Sequence, residues 1–387
     1  MALTPEQQKC VDTLVGPVAV SAGAGSGKTF TLTQRIVHAL ECGYVSSIDE
    51  VLAITFTSKA AGEIKSRVKG ALKACGRSDQ ALLVDSAWIS TIHGACSRML
   101  RAHALDLGIN PDFAVADESS ANDMLDASLE EVLGSEDDLT SPGDYDALFE
   151  EYSARQNGPT SAASIEGMVR ELVIAAQASP EGMASIVLTP PAASPYKLMA
   201  RMSSLAGDIM AMCEAQKPGK RRDAFLENTA DALEELEAAQ REGREISPEQ
   251  LLPLFNAFPV PTCAFGTPEY KELATETAQA YFSLMMEARL AVAEPRMREV
   301  VDLASRVFDA YRRRKREAGM LDNDDLLTMA SRMFSEHPDV AAEYADRFKM
   351  IMVDEFQDTD QLQVDMIKRM AGANFERLCT VGDAQQS

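Results

Sequence analysis

The sequence is short of several things, and each shortage narrows what it can be. No apolar run among its 387 residues approaches the roughly 18 residues of a membrane span. The stretch Met1-Ala-Leu-Thr-Pro-Glu-Gln-Gln8 has no basic region followed by an apolar one, so a secretory signal is not expected. The cysteines (Cys10, Cys42, Cys75, Cys96, Cys213, Cys263 and Cys379) form no CxxC pair and no Cys/His cluster. Neither a zinc site nor a disulfide framework is suggested, and a reducing cytoplasm fits best. Positive charge is scarce: 37 Lys and Arg stand against 60 Asp and Glu, a net charge of −23. Taken alone, that argues against nucleic acid as a ligand. Net charge averages over a whole surface, however, whereas a binding groove is local. The acidity is concentrated in segments such as Asp117 to Glu151, and two basic clusters, Lys217 to Arg222 and Arg312 to Arg316, interrupt it. Composition alone makes each cluster a solvated helix end or face. There is no internal repeat.

What is present starts with Val18-Ala-Val-Ser-Ala-Gly-Ala-Gly-Ser-Gly-Lys-Thr29. An apolar run, Val18 to Val20, reads as a buried strand. A glycine-rich turn follows, comprising Ala22, Gly23, Ala24, Gly25, Ser26 and Gly27, and then Lys28 and Thr29 open a helical run from Phe30 to Leu40. Strand, Gly-rich loop, Gly-Lys-Thr and helix together make a phosphate-binding loop. Residues without Cβ let backbone N–H groups turn inward onto phosphate oxygens, and the helix N-terminus adds free N–H groups and a positive partial charge. Lys28 would reach the β- and γ-phosphates of ATP, and the Thr29 hydroxyl would hold Mg²⁺. The first glycine of the usual pattern is Ala22 here.

Residues 1–116 read as alternating strand and helix. Thr4 caps a helix with Pro5 in its first turn. Val51 to Phe56 and Trp88 to Ile92 are further apolar strands, each followed by a helix. Near-continuous apolar strands joined by helices imply a parallel sheet covered on both faces. From about Asp117 strands all but vanish. Acidic helical stretches alternate with Pro/Ala/Ser-rich breaks, and residues 117–299 read as an inserted, mainly helical domain. Within it Leu226, Ala230, Leu233 and Leu236 recur at helical spacing as a core-facing stripe. Pro195 and the stretch Pro253 to Pro268 are expected to mark looser connections. A long helix is expected from near 300, with Val300, Ala304, Val307 and Tyr311 on one face. The α/β pattern then resumes over 300–387. Met350 to Val353 forms a strand ending in Asp354-Glu355, and Leu378 to Val381 forms another. The final Gln385-Gln386-Ser387 stops just past a strand, as though the chain were cut short.

Asp354 and Glu355 at a strand end are the partners a phosphate loop needs. Asp354 can bind Mg²⁺ directly or through water. Glu355 can polarise the water that attacks the γ-phosphate.

The series Gln7, Ala22–Thr29, Thr55-Phe-Thr-Ser-Lys-Ala-Ala61, Ser90-Thr-Ile-His-Gly94, Leu321-Asp-Asn-Asp-Asp-Leu-Leu327, Asp354-Glu-Phe-Gln-Asp-Thr359 and Val381-Gly-Asp-Ala-Gln-Gln-Ser387 resembles, in content and order, UvrD/Rep/PcrA-type DNA helicases of superfamily one. The resemblance covers both α/β segments, roughly half the chain. It implies a RecA-like P-loop fold and an ATP-driven 3′→5′ translocase and helicase acting in DNA repair or recombination. It implies that Gln7 bonds the adenine and that Gln357 and Asp358 link the ATP site to neighbouring motifs. Gln386 would sense the γ-phosphate. Thr55, Phe56, Thr57, Ser58 and Lys59, with Thr91, His93 and Gly94, would line a groove for single-stranded DNA. There Phe56 could stack on a base and His93 could meet the backbone, which suits sequence-neutral tracking. Without that context, a strand-end Phe is often core and a lone His often structural.

Three residues depart from the common pattern: Phe30 in place of Arg, Ser58 in place of Asn and Gln385 in place of Asp. Phe30, with the large insertion, is similar to the AddA/RecB branch, which implies an AddB/RecC-like partner. The family's second RecA-like domain, which supplies arginine fingers, is missing. This chain alone is therefore expected to bind Mg-ATP weakly and hydrolyse it poorly. Two rival readings remain. One is a P-loop NTPase acting on a non-DNA partner. The other is an acidic helical protein-interaction module carried on an ATPase.

Overall fold

A computed structural model describes residues 3–23, 26–134, 145, 148, 164–190, 193–242, 247–372 and 374–382. In chain order its elements are α1 (Pro5–Asp12), β1 (Val18–Ser21), α2 (Lys28–Glu41), β2 (Val51–Thr55), α3 (Ser58–Ala74), α4 (Ser78–Leu83), β3 (Trp88–Thr91), α5 (Ile92–Ala102), β4 (Ala114–Val115) and α6 (Glu118–Leu133). They continue with α7 (Ile165–Gln177), α8 (Pro195–Glu214), α9 (Lys220–Arg241), α10 (Pro248–Ala257) and α11 (Pro268–Ala318). The last are β5 (Met320–Leu321), α12 (Asn323–Glu336), α13 (Pro338–Arg347), β6 (Met350–Asp354), α14 (Gln361–Ala371) and β7 (Leu378–Gly382). The chain divides into two compact units, one of Met1–Val132, Val173–Ser185 and Val307–Ser387, the other of Leu133–Leu172 and Ile186–Arg306.

The first unit is α/β. Its five-stranded sheet has the order β1-β7-β6-β2-β3, and every pairing is parallel. β2 reads Val-Leu-Ala-Ile-Thr and is buried along its whole length, as a strand covered on both faces must be. Alternate residues feed two cores. Leu52, Ile54, Trp88, Ile351 and Val353 pack with α5, α12, α13 and α14. Val51, Ala53, Ile89, Met350 and Met352 pack with α2 and α3 on the other face, where Cys10 of α1 joins them. β1 is less buried than its apolar run suggests. It is an edge strand among the described residues: Val18 and Val20 pack onto the second core, while Ala19 and Ser21 are exposed.

The register matters most for function. Ser21 pairs with Gly382, Val381 with Asp354, Val353 with Ile54, and Thr55 with Thr91. The carboxyl ends of all five strands are therefore nearly flush, which is where open parallel sheets hold their ligands.

A second sheet, β4 with β5, is only two residues per strand and is not legible in the sequence, because so short a pair has no periodicity to detect. Ala114 N–H and Ala116 N–H donate to the carbonyls of Gly319 and Leu321 at 2.9 Å, tying the chain's departure from the α/β unit to its return. Just before the return lies a buried ion cluster. Lys315 Nζ is 2.6 Å from both Asp322 Oδ2 and Asp325 Oδ2, and the Tyr311 hydroxyl donates to Asp322 Oδ2 at 2.8 Å.

The second unit is helical over its described residues. Met199, Met202, Leu236, Phe255 and Leu284 are among the residues of its main core. Pro195 does not loosen a connection here; it is the first residue of α8, where its missing N–H costs nothing. Pro253 lies inside α10. The long helix near 300 starts at Pro268 and runs on through Pro295. On α9 the fully buried positions are Phe225, Thr229, Ala232 and Leu236, so Ala230 is not part of the stripe. Phe225 sets that phase, and Thr229 is accommodated because its hydroxyl donates to the Phe225 carbonyl at 2.7 Å. Among the described residues, no helix is long and apolar enough to cross a membrane.

Candidate active site

The site begins at α1. Thr4 and Gln7 form a capping box, with the Thr4 N–H donating to Gln7 Oε1 at 2.9 Å. The same amide's Nε2 donates to the Ser26 carbonyl at 2.9 Å, so Gln7 rests on the phosphate loop. Gly27 follows with φ +86°, a left-handed conformation that favours glycine, and a Cβ there would come within 3.0 Å of Gln7 Nε2. Gly27 is the N-cap of α2 and carries no side-chain cap, which leaves the first-turn N–H groups available to an anion.

Lys28 opens α2 and points at β6. Its Nζ lies 3.0 and 3.2 Å from the two carboxylate oxygens of Glu355, a residue 327 positions away. Gln357 Nε2 donates to Glu355 Oε2 at 2.8 Å. Glu355 has φ +53°, an unfavourable backbone conformation for a non-glycine residue and one often retained at functional sites. Asp354 accepts the Glu355 N–H at 3.1 Å. Burial, then the neighbouring Glu355 charge, push the Asp354 carboxyl above its usual range, against the opposing pull of that hydrogen bond and Lys28.

Gly382, at the end of β7, belongs to the Val381–Ser387 motif, but what it makes room for is visible only in the fold. A Cβ there would lie 2.6 Å from Gln357 Oε1, and its carbonyl accepts the Ala22 N–H at 2.9 Å. It thus lets β7 run between the start of the phosphate loop and the Glu355/Gln357 pair. The Gly23 carbonyl accepts the Ser26 N–H at 3.3 Å, and the Thr29 carbonyl accepts the Thr33 hydroxyl at 2.8 Å. Thr29 and Phe30 are half-buried. Ala24, Gly25 and Gln386 lie outside the described residues.

The ends of β2 and β3 are built differently. Thr55 is buried, and its hydroxyl donates to the Thr57 carbonyl at 2.9 Å. Thr57 caps α3 by accepting the Ala60 N–H at 3.1 Å, and Thr91 caps α5 by accepting the Gly94 N–H at 3.2 Å. Phe56 stands between them with 67% of its surface exposed, outside the core, and Ser58 and Lys59 are exposed beside it. His93, in the first turn of α5, is half-buried. Burial lowers its pKa, while the charges of Asp324 and Asp360 pull the other way. Those acids come from the start of α12 and the N-cap of α14; Asp324 belongs to the Leu321–Leu327 motif, but its proximity to His93 is visible only in the fold.

With the geometry in place, comparison with known proteins identifies the family. The sequence matches the UvrD/REP helicase N-terminal domain over residues 3–387. It is 28% identical to the AddA-type chain of the ATP-dependent helicase/nuclease of Pelotomaculum thermopropionicum, over 99% of this chain and 34% of that protein. It is 24% identical to the corresponding helicase/nuclease chain from Lactobacillus helveticus, over 99% of this chain and 36% of that one. It is 26% identical to the ATP-dependent DNA helicase PcrA of Staphylococcus aureus, over 100% of this chain and 33% of PcrA. The chain thus spans about a third of the length of the curated relatives it matches. The strand order, the phosphate loop and the Asp354-Glu355 strand end all accord with that match: the chain belongs to the UvrD/REP helicase N-terminal domain family.

Proposed function

We propose that this chain is the ATP-binding and DNA-gripping half of an ATP-dependent DNA helicase that moves 3′→5′ along single-stranded DNA in repair or recombination. The observation that carries the reading is the Lys28–Glu355–Gln357 cluster, seated beside the uncapped N-terminus of α2 on the edge of the sheet that also presents Phe56.

Lys28 would exchange Glu355 for the β- and γ-phosphates of ATP. Glu355, released from the ammonium, would then be free to accept a proton from the attacking water. Gln357 would report that exchange to its neighbours, with Asp358 beside it and Gln386 sensing the γ-phosphate. Gln7 keeps one N–H and one acceptor lone pair after its contacts with Ser26 and Thr4, which match the amino group and N7 of adenine.

Thr29 and Asp354 would hold Mg²⁺. A carboxyl already raised by burial and by a neighbouring acid is a position where a divalent cation relieves charge repulsion. Among the described residues no group of three or more His, Cys, Asp or Glu could cage a metal, so the remaining ligands would be water and phosphate oxygens, as suits Mg²⁺. When bound, Mg²⁺ would neutralise charge on the phosphates.

Phe56 would stack on a base, with Ser58, Lys59, Gly94 and His93 against the strand's backbone. The threonines 55, 57 and 91 would act through the loops they shape. The insertion, taken as 117–299, would serve the same motor. A second RecA-like domain of the parent would supply arginine fingers, and an AddB/RecC-like protein is a candidate partner. The cytoplasm is the expected compartment.

The test is fluorescence anisotropy of labelled oligo-dT with this chain, with and without a non-hydrolysable ATP analogue, at low and moderate salt. Binding that weakens with salt and shifts with nucleotide is expected, together with poor ATP hydrolysis. Failure to bind under any condition, repeated with the full-length parent, would overturn the DNA reading. Robust DNA-stimulated hydrolysis by this chain alone would refute the need for a second domain.

A further inference from the structure

At the amino end of β3, away from the carboxyl ends of the strands, basic side chains from three helices gather around one turn, Val84–Ser86. Lys65 Nζ of α3 donates to the Asp85 carbonyl at 3.1 Å, and Lys69 pairs with the Asp85 carboxylate. Lys73 stands one helical turn further along the same face. Arg98 of α5 also reaches the turn, its Nη1 donating to the Ser86 carbonyl at 2.7 Å. The guanidinium carbon of Arg98 lies 3.8 Å from the centre of the Trp88 ring, and that of Arg347, the last residue of α13, lies 5.8 Å from a ring centre of the same indole. Among the described residues, Lys65, Lys73, Arg98 and Arg347 have no carboxylate within the 4.0 Å of an ion pair; Asp49 attracts Arg98 from farther off. In a chain of net charge −23, with carboxylates to spare, cations left over in one place stand out. Arg98 is also held still. Its stacking on Trp88 and its bond to Ser86 fix the plane of the fork, so part of the entropy of engaging a carboxylate is already lost. Beside the lysine row α4 packs on α3 and leaves Leu82 76% and Leu83 37% exposed, immediately before the turn.

We propose that Arg98, Arg347, Lys73, Leu82 and Leu83 form a docking surface for an acidic protein segment that carries apolar side chains, separate from the ATP and DNA sites. Charge complementarity selects an anionic partner. The leucines select among anions: a nucleic-acid backbone gives them nothing to pack on, whereas a peptide offers carboxylates and apolar groups together. Carboxylates of the segment would take the remaining donors of Arg98, the Arg347 fork and the Lys73 ammonium. Its apolar side chains would cover Leu82. From Lys65 to Lys73 the row spans about 12 Å along α3. That is the length of about four residues of extended chain, so a short segment is enough.

The test uses the whole chain and a peptide of three Asp-Asp-Leu-Phe repeats, with and without a fluorescent label. Trp88 is the chain's single tryptophan and packs against Arg98, so its emission reports on this surface. The expected result is saturable binding that weakens with salt and shifts the Trp88 emission. A version of the peptide with Ser for every Leu and Phe should bind about tenfold more weakly. Lys73→Glu combined with Arg347→Glu should weaken peptide binding by roughly tenfold or more. Both side chains are exposed, so oligo-dT affinity at moderate salt and the unfolding midpoint should hardly move. Leu82→Ser, which leaves the charge untouched, should weaken peptide binding about threefold. Absence of peptide binding would overturn the proposal, as would binding that leaves Trp88 silent or ignores the double variant. Equal binding of the Ser peptide would overturn the partner class. A blunt DNA duplex that displaces the peptide and loses its own grip in the double variant would assign the surface to nucleic acid instead. If the double variant fails to fold, Leu82→Ser and the Trp88 emission decide the matter.

Discussion

The two ends of one sheet edge solve opposite problems. At the β1/β7/β6 end the polar groups are exchangeable. The N-terminus of α2 has no side-chain cap, and the Lys28–Glu355 pair is 13% and 36% exposed, open enough for an incoming anion to compete. At the β2/β3 end the polar groups are committed. The hydroxyls of Thr55, Thr57 and Thr91 bond nearby backbone, the latter two as helix caps, and what remains on offer is Phe56, Ser58, Lys59 and part of His93. One end is a set of charges able to change partners. The other is a rigid backbone frame that presents side chains. The proposed motor, which would release phosphate each cycle while keeping hold of a polymer, would need both.

The largest expected effect is on the support of the second end. The α12 N-terminus that brings Asp324 to His93 is anchored by Lys315 between Asp322 and Asp325. Lys315→Met leaves the buried Asp322 and the half-buried Asp325 without their cation, and stability should fall by about 3–5 kcal/mol. Urea unfolding would measure it. A loss under about 1 kcal/mol would mean the cluster relaxes onto water and supports nothing.

Next is Lys28→Ala, which should weaken binding of an ATP analogue by about 1.5–3 kcal/mol, roughly 10- to 150-fold, the worth of a charge-assisted contact. Oligo-dT affinity without nucleotide should stay within about twofold, because Lys28 lies at the other end of the edge. Equal losses of both ligands would collapse the distinction between the ends. The mirror experiment is Phe56→Ala. It should cost about 1–3 kcal/mol of oligo-dT binding, the worth of one stacked base, and leave the nucleotide alone. Because Phe56 is exposed, its removal should leave the unfolding midpoint nearly unchanged.

The same contrast explains what can be read in advance. The candidate phosphate end is legible because its residues are contiguous and of the types that phosphate chemistry would dictate: Gly27, Lys28 and Thr29 on one strand–helix turn, Asp354 and Glu355 on another. The buried strands β2 and β6 are legible from unbroken apolar runs. At the other end the residue names are legible but their states are not. Whether a strand-end Phe is core or exposed depends on what packs over it, and Phe56 is uncovered. His93 and Asp324 are brought together by the packing of α5 on α12, across the whole insertion. Gly382 matters because of Gln357, which reaches it from the turn that follows β6. In the helical unit, periodicity locates α9 but not its phase, because an aromatic at Phe225 outweighs the alanine at 230 in choosing the buried face.

The smallest expected effect separates two groups that a sequence would both describe as basic. Lys59 is exposed, and if it meets a phosphate, Lys59→Ala should flatten the log–log salt dependence of oligo-dT binding by about 0.7, one counterion on a single strand. His93 should behave otherwise. Burial lowers its pKa more than Asp324 and Asp360 restore it, so near pH 7 it is a neutral hydrogen-bonding group. His93→Gln should therefore reduce affinity by only about 0.5–1.5 kcal/mol and leave the salt slope unchanged. The sign can be pressed further. A lowered pKa means that protonation, and with it a steeper salt slope, sets in only below the ordinary histidine range near pH 6.5. Asp324→Asn removes one of the charges that favour the imidazolium, so it should push that onset lower still. A salt slope that is already steeper at pH 7 and relaxes in His93→Gln would mean the two acids outweigh burial. The β2/β3 end would then grip its strand by charge, as the phosphate end does, and the contrast between the two ends would be lost.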